Sequence, residues 1–456
     1  MSRTHHPKHM PAKFVDGSIM RHIMTMTSAA GIGLMGVFLV DLIDMLFLSM
    51  LDSDNIIAGV GFAASISFFT VSLSIGITIS MAALVSQMIG QRNSSQARRY
   101  VVNISVLAFI LTAVTSSIIW LFLTDIFKLL GASGETLDIG VSYSNILLLS
   151  LPIFAVGMAM SAAIRAVGDA KLSMYATLIG GAVNALLDPI FIFTLDMGVE
   201  GAAIASVISR VAVLFVAFWG VSHKNKLITR FNLADFITDL RAIFAIAGPA
   251  MLTNVVTPLG NAIVINAVAK FGGAYVAGFA IIGRIIPVAF ALIFALSGAI
   301  APIIGQNFGA NKIARIKQTF SNALIFCVIY VAAVSAVLFV LQDPLIALFK
   351  LQGNAAELMR VFCSWIAISF IFNGAQFVAN SSFNNLGKPY YATCFNVGKA
   401  TLGTLPFVII GGNLNGAAGV LMGQAAGGML FGLVSVVVAY AHINRLETKF
   451  TVAASS

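Results

Sequence analysis

This sequence reads as an all-α membrane protein: twelve transmembrane helices in two six-helix lobes, built as parallel repeats around a central cavity. Three features lead there. Of its 456 residues, 59% are hydrophobic and only 9% charged, against roughly one-quarter charged in soluble domains. Apolar runs of the length needed to cross a bilayer, about 20 residues each, recur from one end to the other. Short motifs also repeat at an offset of 215 residues.

In chain order the first six predicted spans are 23-50, 55-89, 100-124, 139-163, 172-196 and 198-222. A polar stretch, 223-242, SHKNKLITRFNLADFITDLR, separates them from 243-269, 274-304, 318-341, 358-383, 390-411 and 415-441. These runs are too long and too continuous for barrel strands, which need only about ten residues of alternating pattern. The start, MSRTHHPKHMPAK, is polar and has no apolar core before a small-residue cleavage site, so the first helix itself is expected to act as the targeting signal.

Orientation follows from Lys and Arg, which collect on cytoplasmic loops. Nineteen of them, from Arg3 and Lys8 through Arg92, Arg98, Arg99, Lys312 and Arg315 to Arg445 and Lys449, fall in one set of loops; four, Lys128, Lys270, Lys350 and Arg360, fall in the other. The expectation is a multi-pass protein of the bacterial cell inner membrane, in contact with the lipid bilayer, with both termini cytoplasmic. The net charge of +9 then follows from topology and calls for no nucleic-acid partner.

The repeat is visible as Gly90-Gln91-Arg92-Asn93 answered by Gly305-Gln306-Asn307-Phe308, and Gly201-Ala202-Ala203 answered by Gly416-Ala417-Ala418. Six helices separate equivalent points, an even number, so both halves cross in the same sense about an axis along the membrane normal. The expected organisation is a cytoplasmic tail (1-22), a first lobe of helices 1-6 (23-222), a cytoplasmic linker (223-242), a second lobe of helices 7-12 (243-441) and a cytoplasmic tail (442-456).

An ionised side chain at bilayer depth costs at least about 2.5 to 3.5 kcal/mol, which marks acids inside helices as functional. Only Asp41 and Asp44 in helix 1 and Asp188 in helix 5 lie well away from helix ends. At 1.5 Å per residue, Asp44 is about 9 Å below the outer surface, and Asp188 and Ser206 are about 12 Å below it. Asn184 sits one turn deeper than Asp188 on the same face. Two carboxylates in a low-dielectric cleft do not both stay ionised cheaply, so the group suits a proton. The same oxygens, at Asp44, Asn184, Asp188 and Ser206, are hard ligands that suit Na⁺. The alternative is simple pairing with a buried cation such as Arg210. Asp41 is a second titrating site or faces the cavity mouth, and Tyr143 either hydrogen-bonds a carboxylate or anchors at the interface.

Arg210, Arg284 and Lys399 are the cations inside helices, expected either to line a substrate cavity or to hold their lobes together. The three cysteines, Cys327, Cys363 and Cys394, fall within helices as small apolar fillers. All six histidines lie in tails, loops or helix ends, and no HExxH or GxSxG-type pattern stands in a helix, which argues against an intramembrane enzyme. No cofactor is expected.

Asp44 in LIDMLFLSML, Arg165-Ala-Val-Gly168-Asp169, Asn184-Ala-Leu-Leu-Asp188-Pro189 and Gly198-Val-Glu-Gly201-Ala-Ala together resemble the multidrug and toxic compound extrusion (MATE) family, and best its DNA-damage-inducible protein F branch. The resemblance covers all twelve helices. It implies export of cationic or amphipathic drugs and toxins by proton-coupled antiport and alternating access, from a protein expected to be a monomer. It carries the first-lobe cation site onto Asp44, Asn184, Asp188 and Ser206. Relatives with a second-lobe sodium site use acids in helices 7 and 10; here helix 7 has none, and helix 10 offers Asn373 and Asn380. Many relatives also begin helix 1 with a proline, whereas this chain reads Thr27-Ser28-Ala29-Ala30-Gly31. A sodium-coupled antiporter and a lipid-linked sugar flippase are the rival readings.

Overall fold

The computed structural model describes residues 10–51 and 54–455, and all regular structure among them is helical. Arg3, Lys8 and the rest of 1–9 lie outside the described residues. The first half comprises α1 (Ile19–Ser49), α2 (Asp54–Gly90), α3 (Ser94–Leu121), α4 (Leu123–Leu129), α5 (Gly134–Leu149), α6 (Leu151–Ala166), α7 (Ala170–Pro189) and α8 (Gly198–Trp219). The second comprises α9 (Leu233–Ala269), α10 (Gly273–Ala289), α11 (Ala291–Gly309), α12 (Ile313–Val340), α13 (Gln342–Leu348), α14 (Gly353–Val361), α15 (Phe370–Asn385), α16 (Pro389–Ala400) and α17 (Leu405–Ser455).

Ten helices among the described residues are long and apolar enough to cross a membrane, and α5 with α6 forms one more span bent by 49°. The last candidate, Pro389–Phe450, is two crossings. Asn415 and Gly416 leave helical geometry there, Gly416 with φ +55°. A Cβ on Gly419 would strike the Gly411 carbonyl, one on Gly423 the Phe407 carbonyl, and one on Gly427 the Gly403 carbonyl. These pairs are antiparallel about residue 415, so the arms fold back with backbones in direct contact, as small residues permit in membranes. Twelve crossings result.

Several predicted helices are broken. The predicted span 139-163 splits at Ser150 because Pro152, near the start of α6, has no N–H to offer the Leu148 carbonyl. Ser116 of α3 donates its hydroxyl to that carbonyl instead. The predicted span 274-304 likewise divides at Phe290, just after Pro287.

The compact units do not follow the chain halves. Among the described residues, unit 1 gathers 10–13, 32–51 and 54–251, and unit 2 gathers 14–31 and 252–455. The leading part of α1 thus goes with the second-half helices, and the leading part of α9 with the first-half helices. Local ties account for this. In unit 1 the buried Asp239 accepts from Arg99 Nε at 3.0 Å and Nη2 at 2.8 Å and from Asn103 Nδ2 at 2.8 Å, while Arg99 Nη1 reaches Asp235 at 3.2 Å. In unit 2 Arg315 Nη2 donates to the carbonyls of Phe14, Asp16 and Gly17 at 3.0, 3.2 and 3.1 Å, and the Phe14 N–H donates to Gln306 Oε1 at 3.0 Å. The repeated Gly-Gln motif therefore has a structural job in the second half.

The expected linker, 223-242, changes character accordingly. It is a π-helical turn at Gly220–Lys224, a short irregular passage, and then the opening turns of α9. Within the expected tail, 442-456, α17 runs on to Ser455.

Candidate functional site

The acids of unit 1 are positioned by a parallel pairing of α1 with α7. A Cβ on Gly33 would touch Met174, and one on Gly36 would sit 2.6 Å from Leu178 Cδ2. Val40 lies against Gly181, and the rings of Phe47 and Phe193 meet edge to face at 5.9 Å. Each step forward on α1 is matched by a similar step on α7, and this register brings Asp44 opposite the last turn of α7, where Asp188 stands.

Asp188 is wholly buried. Its Oδ1 accepts a 2.7 Å hydrogen bond from Asn184 Nδ2, and its Oδ2 is buried with no partner among the described residues. Pro189 follows, ending α7 and leading into a π-helical turn, Ile190–Thr194. Gly201 of α8 lies against that turn so closely that a Cβ would be 2.7 Å from the Phe191 carbonyl carbon and oxygen. The small residue is what lets α8 close on the turn that presents Asp188.

Asp44 Oδ1 is likewise buried without a partner among the described residues. The two carboxylates are close enough for their charges to interact. Tyr143 of α5, itself buried, lies within electrostatic reach of Asp44, Asp188, Asp41 and Arg210. Asp41 is exposed and also feels Asp44. Ser206 is half-buried on α8 and makes no hydrogen bond to either aspartate.

Arg210 is not the counter-ion of these acids. Its Nη1 donates to the Leu147 carbonyl at 3.1 Å and to Ser150 Oγ at 2.7 Å, and its guanidinium stands 5.0 Å from the Phe154 ring centroid. It adds a donor to the carbonyl end of α5 where the chain bends, a reason inside unit 1 for its presence. It also lines a water-sized void of about 10 Å³ with Ser67, Thr70 and Ser144. In unit 2, Lys399 Nζ donates to Asn373 Oδ1 of α15, which ties α16 to α15. Arg284 is exposed on α10. The void-lining Ser144 escaped the sequence reading, because hydroxyls in apolar helices ordinarily bond their own backbone and give no hydropathy signal.

The site's open valences are two carboxylate oxygens, at Asp44 and Asp188, turned inward without partners. A proton satisfies such a pair by removing charge; a hard cation satisfies it by coordination, with Asn184 Oδ1 as a further donor. Among the described residues no cluster of three or more His, Cys, Asp or Glu side chains suits a transition metal.

The MatE family model matches residues 29–190 and again 249–410. The chain belongs to the MatE family. Two matches to one model, equal in length, agree with the duplication read from the Gly-Gln motifs, and the Gly-Ala-Ala pair follows just beyond each match. MatE membership makes the chain a small-molecule transporter of the membrane and not an enzyme. It is 25% identical over 421 residues to the FAD transporter of Shewanella oneidensis, covering 91% of this chain and 93% of that protein. It is 26% identical over 440 residues to the multidrug export protein MepA of Staphylococcus haemolyticus, covering 95% and 96%. Among solved structures it superimposes on the Vibrio cholerae MATE transporter VcmN in the bent form with a TM-score of 0.88 at 25% identity, over 94% of this chain and 98% of that one. That identity makes VcmN a relative.

Proposed function

We propose that this MatE protein exports small cationic or amphipathic molecules by proton-coupled antiport, using alternating access. The cation site is Asp44 and Asp188 with Asn184 and Ser206, and Asp41 and Tyr143 stand beside it. The protein works as a monomer in the inner membrane with both termini cytoplasmic. One observation carries the reading: on the paired helices α1 and α7, Asp44 and Asp188 each turn a buried carboxylate oxygen to no partner among the described residues. Leaving both ionised in a low-dielectric interior is costly, so the pair gains by taking up a proton and releases it when surroundings or neighbours change. Asn184 fixes which oxygen does this, because its amide occupies Asp188 Oδ1 and leaves Oδ2 open. The names of two relatives, a FAD transporter and a multidrug export protein, support a small-molecule cargo.

Exchange then works by competition. Protons taken up from outside reshape unit 1 and favour cargo release, and the protonated carrier turns inward, where deprotonation restores cargo binding. The oxygen donors also favour a second reading, sodium in place of the proton. Proteoliposomes loaded with ethidium distinguish them. An imposed pH gradient is expected to drive ethidium efflux from the wild type and not from Asp44→Asn, while a sodium gradient alone drives none. A response to sodium alone overturns the proton assignment, and pH-driven efflux retained in Asp44→Asn overturns the site.

A further inference from the structure

Unit 2 has a buried polar column of its own that the aspartate site does not use. On α15, Asn373, Gln376, Asn380 and Asn384 recur at steps of three and four residues, which lays them along one helix face over about 16 Å. Gln376 is 1% exposed, and both its Oε1 and its Nε2 are buried without a partner among the described residues. Oδ1 of Asn380 and Oδ1 of Asn384 are buried and unpartnered in the same way. At the head of the column stands Lys399, whose Nζ donates to Asn373 Oδ1. Its stem lies beside Gly428, the ideal Cβ of which would be 3.8 Å from Lys399 Cε.

Neither half of this arrangement is explained by packing. Each orphaned amide group costs about 1–3 kcal/mol, and buried polar groups of this kind are ordinarily satisfied by internal water. The amine has no carboxylate to neutralise it. The acids of unit 2 are Asp16, Asp343, Glu357 and Glu447, none of them on α15, α16 or residues 405–440 of α17, and three of these pair with Lys312, Arg360 and Lys317.

We propose that Lys399 and the Asn373–Gln376–Asn380–Asn384 column form a second proton site, in which the Lys399 ammonium exchanges its proton with water held along the column. The step is R–NH₃⁺ + H₂O → R–NH₂ + H₃O⁺. Asn373 Oδ1 accepts an N–H from the lysine in both forms, so the side chain keeps its place as its charge changes. The far end of the column, Asn384, is four residues from Lys388, on the side that the proposed orientation gives to the cytoplasm.

The other ionisable groups on the helices around Lys399 do not supply a counter-charge. On α16 they are Tyr390, Tyr391 and Cys394; α15 and residues 252–269 of α9 have none. On α17 they are Tyr440, His442, Arg445, Glu447 and Lys449, the first of them about 18 Å along the helix from Gly428. Against α15, α12 brings Cys327 and Tyr330, each already bonded to a main-chain carbonyl, of Ile371 and Ala289 respectively, and in its first turns the cations Arg315 and Lys317, bonded to the Phe14 carbonyl and to Glu447.

This inference rests on the proton-coupled reading and extends its stoichiometry. The test is the null-flux pH gradient for ethidium in proteoliposomes, which reads protons moved per ethidium. Lys399→Arg keeps a cation beside Asn373 but does not give up a proton. It is expected to lose one proton per ethidium relative to wild type; an unchanged ratio overturns the proposal and leaves Lys399 as a fixed tie between α15 and α16. Gln376→Leu provides the independent arm, expected to slow proton exchange at unchanged ethidium affinity, and unchanged exchange also counts against the column. Asp44→Asn in the same vesicles keeps the two ideas separable. If it still couples ethidium to the wild-type number of protons, the proposed function fails; if that number falls and Lys399→Arg behaves as wild type, only the second site fails.

Discussion

Inside its helices unit 1 carries Asp41, Asp44 and Asp188, whereas unit 2 carries Lys399, Arg284 and a run of carboxamides on α15. The backbones of the halves descend from one duplicated design, so the contrast lies in side-chain charge and in how each half meets the cost of burying it. Unit 1 leaves carboxylate oxygens of Asp44 and Asp188 without partners and sends its nearest buried cation, Arg210, to the α5–α6 bend. Unit 2 gives its amine a neutral amide, Asn373. A duplicated scaffold thus keeps its folding ties in both halves, as with Arg99 and Arg315, while polar residues at bilayer depth diverge toward different tasks.

The contrast is broken most directly at the acids. Asp44→Asn and Asp188→Asn are each expected to abolish concentrative ethidium efflux while membrane insertion and yield stay at wild-type levels, as measured on purified proteoliposomes. Next in size is Gly201→Val. Its side chain would collide with the main chain of Phe191, and overpacking of this kind costs about 1–3 kcal/mol; a lowered thermal-inactivation midpoint together with reduced efflux checks it. Arg210→Met removes one of three donors to the Leu147 carbonyl, which keeps the Ser150 N–H and hydroxyl, and a partner of Ser150 Oγ, at about 1–3 kcal/mol. That loss is expected in stability with the pH dependence of transport preserved, whereas a changed pH profile would place Arg210 in the coupling site. Smallest is Arg284→Gln on the exposed face of α10, expected within about 0.5 kcal/mol of wild-type stability. A fall in efflux of the anionic dye fluorescein relative to ethidium would identify Arg284 as a cargo contact.

The crossings were legible because each rests on a local quantity, the apolar length needed to span a bilayer, and the acids because charge at that depth is expensive. Pro152 and Pro287 stood in plain view, yet hydropathy runs smoothly across both, so breaks at Ser150 and Phe290 needed coordinates. The exchange of α1 and α9 leading segments between units depends on contacts such as Arg99 to Asp239, 140 residues apart, which no window of sequence contains. Arg210 had the chemistry of a counter-ion, and only its bonds to the Leu147 carbonyl and the Ser150 hydroxyl at the bend decided otherwise. The amides of α15 carry no charge and weigh little on hydropathy, so of the column only Asn373 and Asn380 drew notice, and as stand-ins for absent acids.

The central claim is that the Asp44 and Asp188 carboxyls hold the exchanged proton. Infrared difference spectra of the purified protein with and without ethidium read this directly. The account predicts that the protonated-carboxyl band of the wild type diminishes on ethidium binding and that this change is missing from the Asp44→Asn, Asp188→Asn double variant. The same band change in the double variant would contradict it.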